Sequence, residues 1–199
     1  MKQQLNRNIF FVREHAGLLR AAISYDILDP ASGEVLMECR EESIGAITRI
    51  LRFTDLKRTT PFTLKVRTPD GSQVLRISRG VPVFASIVRV FDETDTPLGS
   101  IRQKPFSVSG AFDVLDAAGR RVCHLKGRKA GLDFGFLSMN DIELARVTRR
   151  WAGLGKELLT SANDYALEID ECVPADSVIR QIVLASALCI GLIQKTDIP

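Results

Sequence analysis

The sequence predicts a mainly β protein, a large antiparallel sheet of roughly ten to twelve strands closed into a barrel around a C-terminal α-helix. Three observations lead there: a hairpin pattern that recurs along the chain, a long apolar run without a polar face near the C-terminus, and the absence of any Pro-, Gly- or Ser-rich linker in the 199 residues. That length suits one domain with a sizeable core, and residues 1–199 are expected to form a single one.

The hairpins come first along the chain. "YDILDPASGEVLMECRE" opens at Tyr25 with alternating apolar and polar residues, turns through Asp, Pro, Ser and Gly, and alternates again. Alternation is the period of a strand with one buried face, and those turn residues supply the backbone angles of a tight reversal. The pattern repeats from Phe62, turning at Pro69-Asp70-Gly71; from Ser86, turning through Asp95-Thr96-Pro97; from Ala111, turning near Gly119; and from Phe136, turning at Asn140-Asp141. A sixth hairpin is expected between Lys156 and Ile169, with its turn at Ala162-Asn163-Asp164.

The helix is "VIRQIVLASALCIGLI", Val178 to Ile193. Arg180 and Gln181 interrupt its front, and the uninterrupted stretch from Ile182 to Ile193 is shorter than the roughly 20 residues needed to cross a bilayer core. Pro174 precedes it, Asp176 or Ser177 can cap it, and Lys195 suits the negative end of the helix dipole. Past Gln181 only small residues break the run, and a helix apolar on all sides must be surrounded on all sides. A closed antiparallel sheet of this size has room for one along its axis.

A net charge of +3 permits attraction to an anionic surface without the strongly basic balance of a dedicated nucleic-acid binder. The four cysteines, Cys39, Cys123, Cys172 and Cys189, share no Cys-x-x-Cys spacing, so buried free thiols and a reducing cytoplasm are expected. The apolar patch Ile9 to Val12 is far too short for a signal-peptide core.

"WAGLGKELLTSANDYALEI", Trp151 to Ile169, followed by "LASALCIGL", Leu184 to Leu192, resembles the C-terminal part of the phospholipid scramblase family. "FVREHAG", "YDILDPASGEVL" and "PFTLKVRTPDG" resemble its earlier hairpins, and the family's order is kept from Phe10 onward. The architecture is shared with plant LURP-one-related proteins and tubby C-terminal domains. The resemblance therefore implies a tubby-like barrel of about twelve strands, over about 8–170, enclosing a hydrophobic helix over about 176–195. Scramblases are named for moving phospholipid between leaflets in response to calcium, and tubby domains bind phosphoinositide head groups through basic residues. Fold does not carry function across such a group.

The family's proposed calcium segment corresponds to Ser161 to Cys172. Asn163 is an acceptable oxygen ligand, but Ser161 is weak, Cys172 is unsuited to a hard cation, and Ala166 stands where the mid-loop glycine of an EF-hand belongs. Asn163, Asp164, Glu168 and Asp170 are the residual calcium candidates; they fit a solvated acidic turn before a helix better, and no cofactor is expected.

Cations gather where the second strands of the hairpins end: Arg40, Arg79, Arg102 with Lys104, Lys126 with Arg128 and Lys129, and Arg146, Arg149 and Arg150. If those strands finish on one rim, Lys126, Arg128, Lys129, Arg149 and Arg150 form an anion-binding patch suited to phospholipid head groups, with Trp151 at the membrane interface. No aromatic residues interleave with them as a stacking platform for nucleic acid. "GLGKE" at Gly153 to Glu157 lacks the first glycine and the magnesium-binding hydroxyl of a phosphate loop, and Cys123 and His124 point to opposite strand faces. The expected protein is a non-catalytic, scramblase-like domain, cytoplasmic and without a transmembrane span, that contacts anionic phospholipid at a membrane surface. A protein-interaction scaffold is the second reading and lipid translocation the third.

Overall fold

Burial follows the period-two pattern in several of the strands. In "FTLKVR" Phe62, Leu64 and Val66 are buried, and the residues between them are partly exposed. The structure, a computed structural model, describes residues 2–15, 22–42, 44–51, 54, 60–81, 86–104, 111–127, 133–149, 152–153, 155, 161 and 163–194. A short 3-10 helix, Lys2–Asn6, leads into β1 (Ile9–Glu14), β2 (Ser24–Leu28) and β3 (Val35–Glu41), and α1 (Ala46–Leu51) follows. Then come β4 (Phe62–Arg67), β5 (Gln73–Arg79), β6 (Ile87–Phe91), β7 (Pro97–Gln103), β8 (Phe112–Asp116), β9 (Arg121–Gly127), β10 (Asp133–Ser138), β11 (Glu143–Thr148), β12 (Tyr165–Ile169) and α2 (Val178–Gln194).

The strands form a closed antiparallel barrel in which each strand pairs with its neighbours in sequence, and β1 pairs with β12 to shut the ring. All five predicted hairpins are present, with Gly33, Gly71, Asp95, Gly119 and Asp141 in their turns at positive φ. The expected sixth is not a hairpin. Of its two arms, residues 156–160 lie outside the described residues, while Tyr165–Ile169 pairs with β11 and with the N-terminal strand, Phe10 opposite Leu167 and Val12 opposite Tyr165. β1 escapes the alternation test because both of its faces are covered. Phe10 and Val12 face the core, while Phe11 packs with Leu28 and Ala166 in a second cluster outside the barrel. Gly155 seals that cluster: a methyl group there would strike the Pro30 carbonyl oxygen and come within 2.9 Å of Phe11.

α2 fills the barrel. Ile182 to Cys189 are all buried, and the surrounding strands supply the apolar wrapping. Ser177 caps the helix, its Oγ accepting the Ile179 N–H at 3.1 Å. The wall comes closest at β7, where a methyl group on Gly99 would run into the Leu115 carbonyl oxygen and reach 2.9 Å from Ile182 Cδ1. Tyr165, buried opposite, donates its hydroxyl to the Ala187 carbonyl at 3.0 Å.

Chain direction gives the barrel two unlike ends. The five tight hairpin turns and the β12–α2 connection lie at one, called here the turn end. The longer connections lie at the other, the loop end, toward which α2 runs.

Candidate functional site

The two ends differ in charge. The six connections at the turn end carry Asp29, Glu34, Asp70, Asp92, Glu93, Asp95, Asp141, Asp170, Glu171 and Asp176, with Arg120 as their one cation. In the sequence of the connections at the loop end the balance reverses: Arg20, Arg49, Arg52, Lys57, Arg58, Lys104, Arg128, Lys129, Arg149, Arg150 and Lys156 against Glu42, Asp55, Glu157 and Asp164. The cause is local. Tight turns select Asp because its carboxylate accepts the turn's own backbone N–H groups. Asp92 accepts those of Thr94 at 2.8 Å and Thr96 at 2.9 Å, and Asp116, at the end of β8, accepts that of Arg120 at 2.8 Å. Cations are left to the other end.

Of the predicted basic residues the structure describes Lys126 and Arg149, both near the loop end, where β9 and β11 finish. Lys126 is exposed on the outer wall opposite Gly135 of β10, with Arg146 across the same glycine on β11. Arg146 is held by Glu143 at 2.8 Å, and the Glu143 carboxylate covers the glycine. Arg149 follows β11, half-buried, and its Nε has no hydrogen-bond partner among the described residues. Arg128, Lys129, Arg150 and Trp151 lie outside the described residues. Arg79, grouped with the rim cations by sequence, is instead buried; it faces inward on β5, donating to the Thr60 carbonyl at 2.6 Å with its guanidinium over the Phe62 ring.

The calcium candidates do not converge. Asp164 precedes β12 at the loop end, buried, accepting the Ser161 N–H at 2.8 Å and the Glu14 N–H at 3.3 Å. Asn163 adjoins it, whereas Glu168 is exposed on β12 and Asp170 follows that strand at the turn end, accepting the Cys172 N–H at 2.9 Å. The strand between them, six residue steps in all, places the two aspartates on the order of 20 Å apart. Among the described residues no group of three or more His, Cys, Asp or Glu could hold a metal ion.

Cys39, Cys123 and Cys189 are buried free thiols as expected, and burial pushes the first two up to about 12, away from the reactive thiolate. Cys172 departs from the expectation: it is exposed, in the turn between β12 and α2, and its hydrogen bond with Asp170 raises its pKa. Cys123 faces the core while His124, on the outer wall, approaches Asp141 at 3.8 Å.

Two features lay beyond the sequence reading. His15 and Arg40 converge on Asp26, His15 Nε2 at 2.7 Å and Arg40 at 2.5 Å, a link between segments that no local pattern announces. Ile87 and Val81 are exposed at the loop end. The signal for Ile87 was present: it adjoins Val88 in a strand, and in a regularly paired strand successive residues point to opposite faces.

Among curated proteins none matches the sequence. A crystal structure of a protein from Arabidopsis thaliana is similar in fold, with a TM-score of 0.52 at 14% identity over 89% of this chain and 90% of that one. The family model described as Scramblase matches residues 16–193, nearly the whole length of the barrel and its enclosed helix, and the chain therefore belongs to the Scramblase family.

Proposed function

We propose that the protein is a non-catalytic domain that makes reversible contact with anionic phospholipid at a membrane surface, from the cytoplasmic side, presenting its loop end. The observation that carries the reading is the axial division of charge that the strand order gives the sequence: acidic turns at one end, and at the other connections whose sequence is rich in cations. Such a molecule approaches an anionic surface cation-end first, because each Lys or Arg near the surface gains about 1 kcal/mol and the acids are kept farther away. Membership of the Scramblase family, which is not a known catalytic family, supports a lipid-related role. No described helix is long and apolar enough to cross a membrane. Lipid translocation by an extruded α2 is disfavoured, since that helix would have to abandon its core, a cost comparable to a domain's whole stability of roughly 5–15 kcal/mol.

The test is co-sedimentation with vesicles of phosphatidylcholine alone or containing phosphatidylserine or phosphoinositide, at low and physiological salt, with and without calcium. Sedimentation with anionic vesicles only, weakened by salt, indifferent to calcium and reduced by Lys126→Glu with Arg149→Glu, is expected. A wild-type protein that stays in the supernatant throughout would remove the membrane reading and turn attention to protein partners.

A further inference from the structure

We infer that this contact has a defined point of entry: Ile87, with Val81 near it, inserts among the head groups of an anionic bilayer while Arg89 and Arg102 bind the surrounding phosphates. The inference rests on the membrane reading and identifies the part of the loop end that touches lipid.

The strand β6 dictates the geometry. Val88 and Val90 are fully buried, so Ile87 and Arg89 point outward, and Ile87 is 41% exposed. Across from Ile87 on β7 stands Arg102. On its other side the register of β5, with Arg79 opposite Val88, continues to Gly80. Among the described residues a methyl group at Gly80 would meet nothing within 4 Å, so none of them crowds that side of the isoleucine at this position. Val81, the next residue, is 67% exposed. A large apolar side chain gains nothing from facing water.

The charges beside it complete the argument. Arg89 and Arg102 are exposed, and neither has an ion-pair partner among the described residues. Elsewhere on the wall such cations are held by carboxylates: Arg40 by Asp26 at 2.5 Å, Lys65 by Glu42 at 2.6 Å, Arg76 by Asp95 at 2.6 Å. An uncommitted guanidinium keeps its fork of N–H donors for an incoming phosphate, which it can bind through two parallel hydrogen bonds. Apolar tips with cations around them match a bilayer's outer layer, where phosphates lie above the acyl boundary. Of the other exposed large apolar residues, Met139, Ile142 and Val178 lie at the acidic turn end, which an anionic surface repels, and Ile50 lies on α1 at the loop end, away from the Arg89–Arg102 pair.

The experiment uses the full chain and vesicles of phosphatidylcholine with phosphatidylserine. Ile87→Ser is expected to weaken binding roughly tenfold, in keeping with burial of the exposed part of one aliphatic side chain, while Met139→Ser leaves it unchanged. Arg102→Gln is expected to weaken it in low salt and to flatten its salt dependence. Independently, an environment-sensitive dye is attached at Ile87→Cys or Met139→Cys, each in a Cys172→Ser background. Emission should shift to the blue on anionic vesicles from position 87 and not from position 139. If the wild type binds but Ile87→Ser binds equally well and the dye at 87 does not shift, this entry point is wrong and the broader membrane reading survives. If the wild type does not bind, both fall.

Discussion

Arg180 determines how the helix is seated. It is buried in the first turn of α2 and has no carboxylate partner among the described residues. Its guanidinium donates instead to the Val173 carbonyl at 2.8 Å, the Pro174 carbonyl at 3.0 Å, the Arg7 carbonyl at 2.9 Å and Asn8 Oδ1 at 2.7 Å. Burial draws its pKa down from the ordinary value, yet an arginine remains charged in a protein. One side chain thereby ties the helix to the segment before β1 and to the connection after β12, the two strands that close the barrel. Arg180→Met should cost at least about 3 kcal/mol, because several buried acceptors lose their donor at about 1–3 kcal/mol each; the midpoint of urea unfolding measures it. Arg180→Lys should recover little, since an ammonium cannot span acceptors arranged around a planar fork. A second residue-scale prediction concerns Asp26. Burial works to raise its pKa, but the hydrogen bonds and charges of Arg40 and His15 outweigh that and hold it below the ordinary carboxylate value. A depressed folded pKa contributes stability that is present above the unfolded pKa of about 3.9 and is lost as pH falls through the folded value. Thermal midpoints measured from pH 6 down to 2 should fall less steeply below pH 4 in Asp26→Asn than in the wild type.

At the scale of elements, the close fit of α2 against β7 is the most exposed to test. Gly99 has neither room nor slack for a methyl group, with a backbone carbonyl on one side and Ile182 on the other. Gly99→Ala should therefore destabilise the barrel by about 1–3 kcal/mol, the usual cost of overpacking, read from the same unfolding curves. Alternation and turn chemistry made ten of the strands legible in the sequence, and the all-round apolar character of Ile182 to Cys189 announced a helix with protein on every side. β1 was legible from the resemblance at "FVREHAG" but not from alternation, because Ile9, Phe10, Phe11 and Val12 are apolar without interruption, which is what a strand covered on both faces requires. Nor could local pattern show that its partner is β12, more than 150 residues away. The cation-bearing strand ends were visible, but whether each side chain faced water was not: Arg79 and Arg102 end consecutive hairpins in the same way, yet a difference of strand phase buries the first and exposes the second.

On the scale of the whole molecule, charge position matters more than charge number. The net charge of +3 is modest, and a uniformly charged body of that size would feel little attraction to a membrane at physiological salt, where charges more than about 8 Å apart are largely screened. Separation of the charges along the barrel axis changes this, because only the near end lies within a screening length of the surface. Two variants that lose the same charge should then behave differently. Lys126→Ala removes an exposed cation on β9, beside the strand end that reaches the loop end, and Arg120→Ala removes one from the β8–β9 turn, whose side chain is 81% exposed. Both lower the net charge by one unit, and neither removes a buried contact. If orientation governs binding, Lys126→Ala should weaken affinity for phosphatidylserine vesicles by a few-fold, in line with about 1 kcal/mol for a cation near the surface, and Arg120→Ala should leave it unchanged. The gap between the two should narrow as ionic strength rises toward 1 M, where the screening length shrinks to about 3 Å and the near end loses its advantage. Equal losses in the two variants would mean that the vesicle senses only total charge, and the axial arrangement would then be a by-product of turn chemistry with no part in binding.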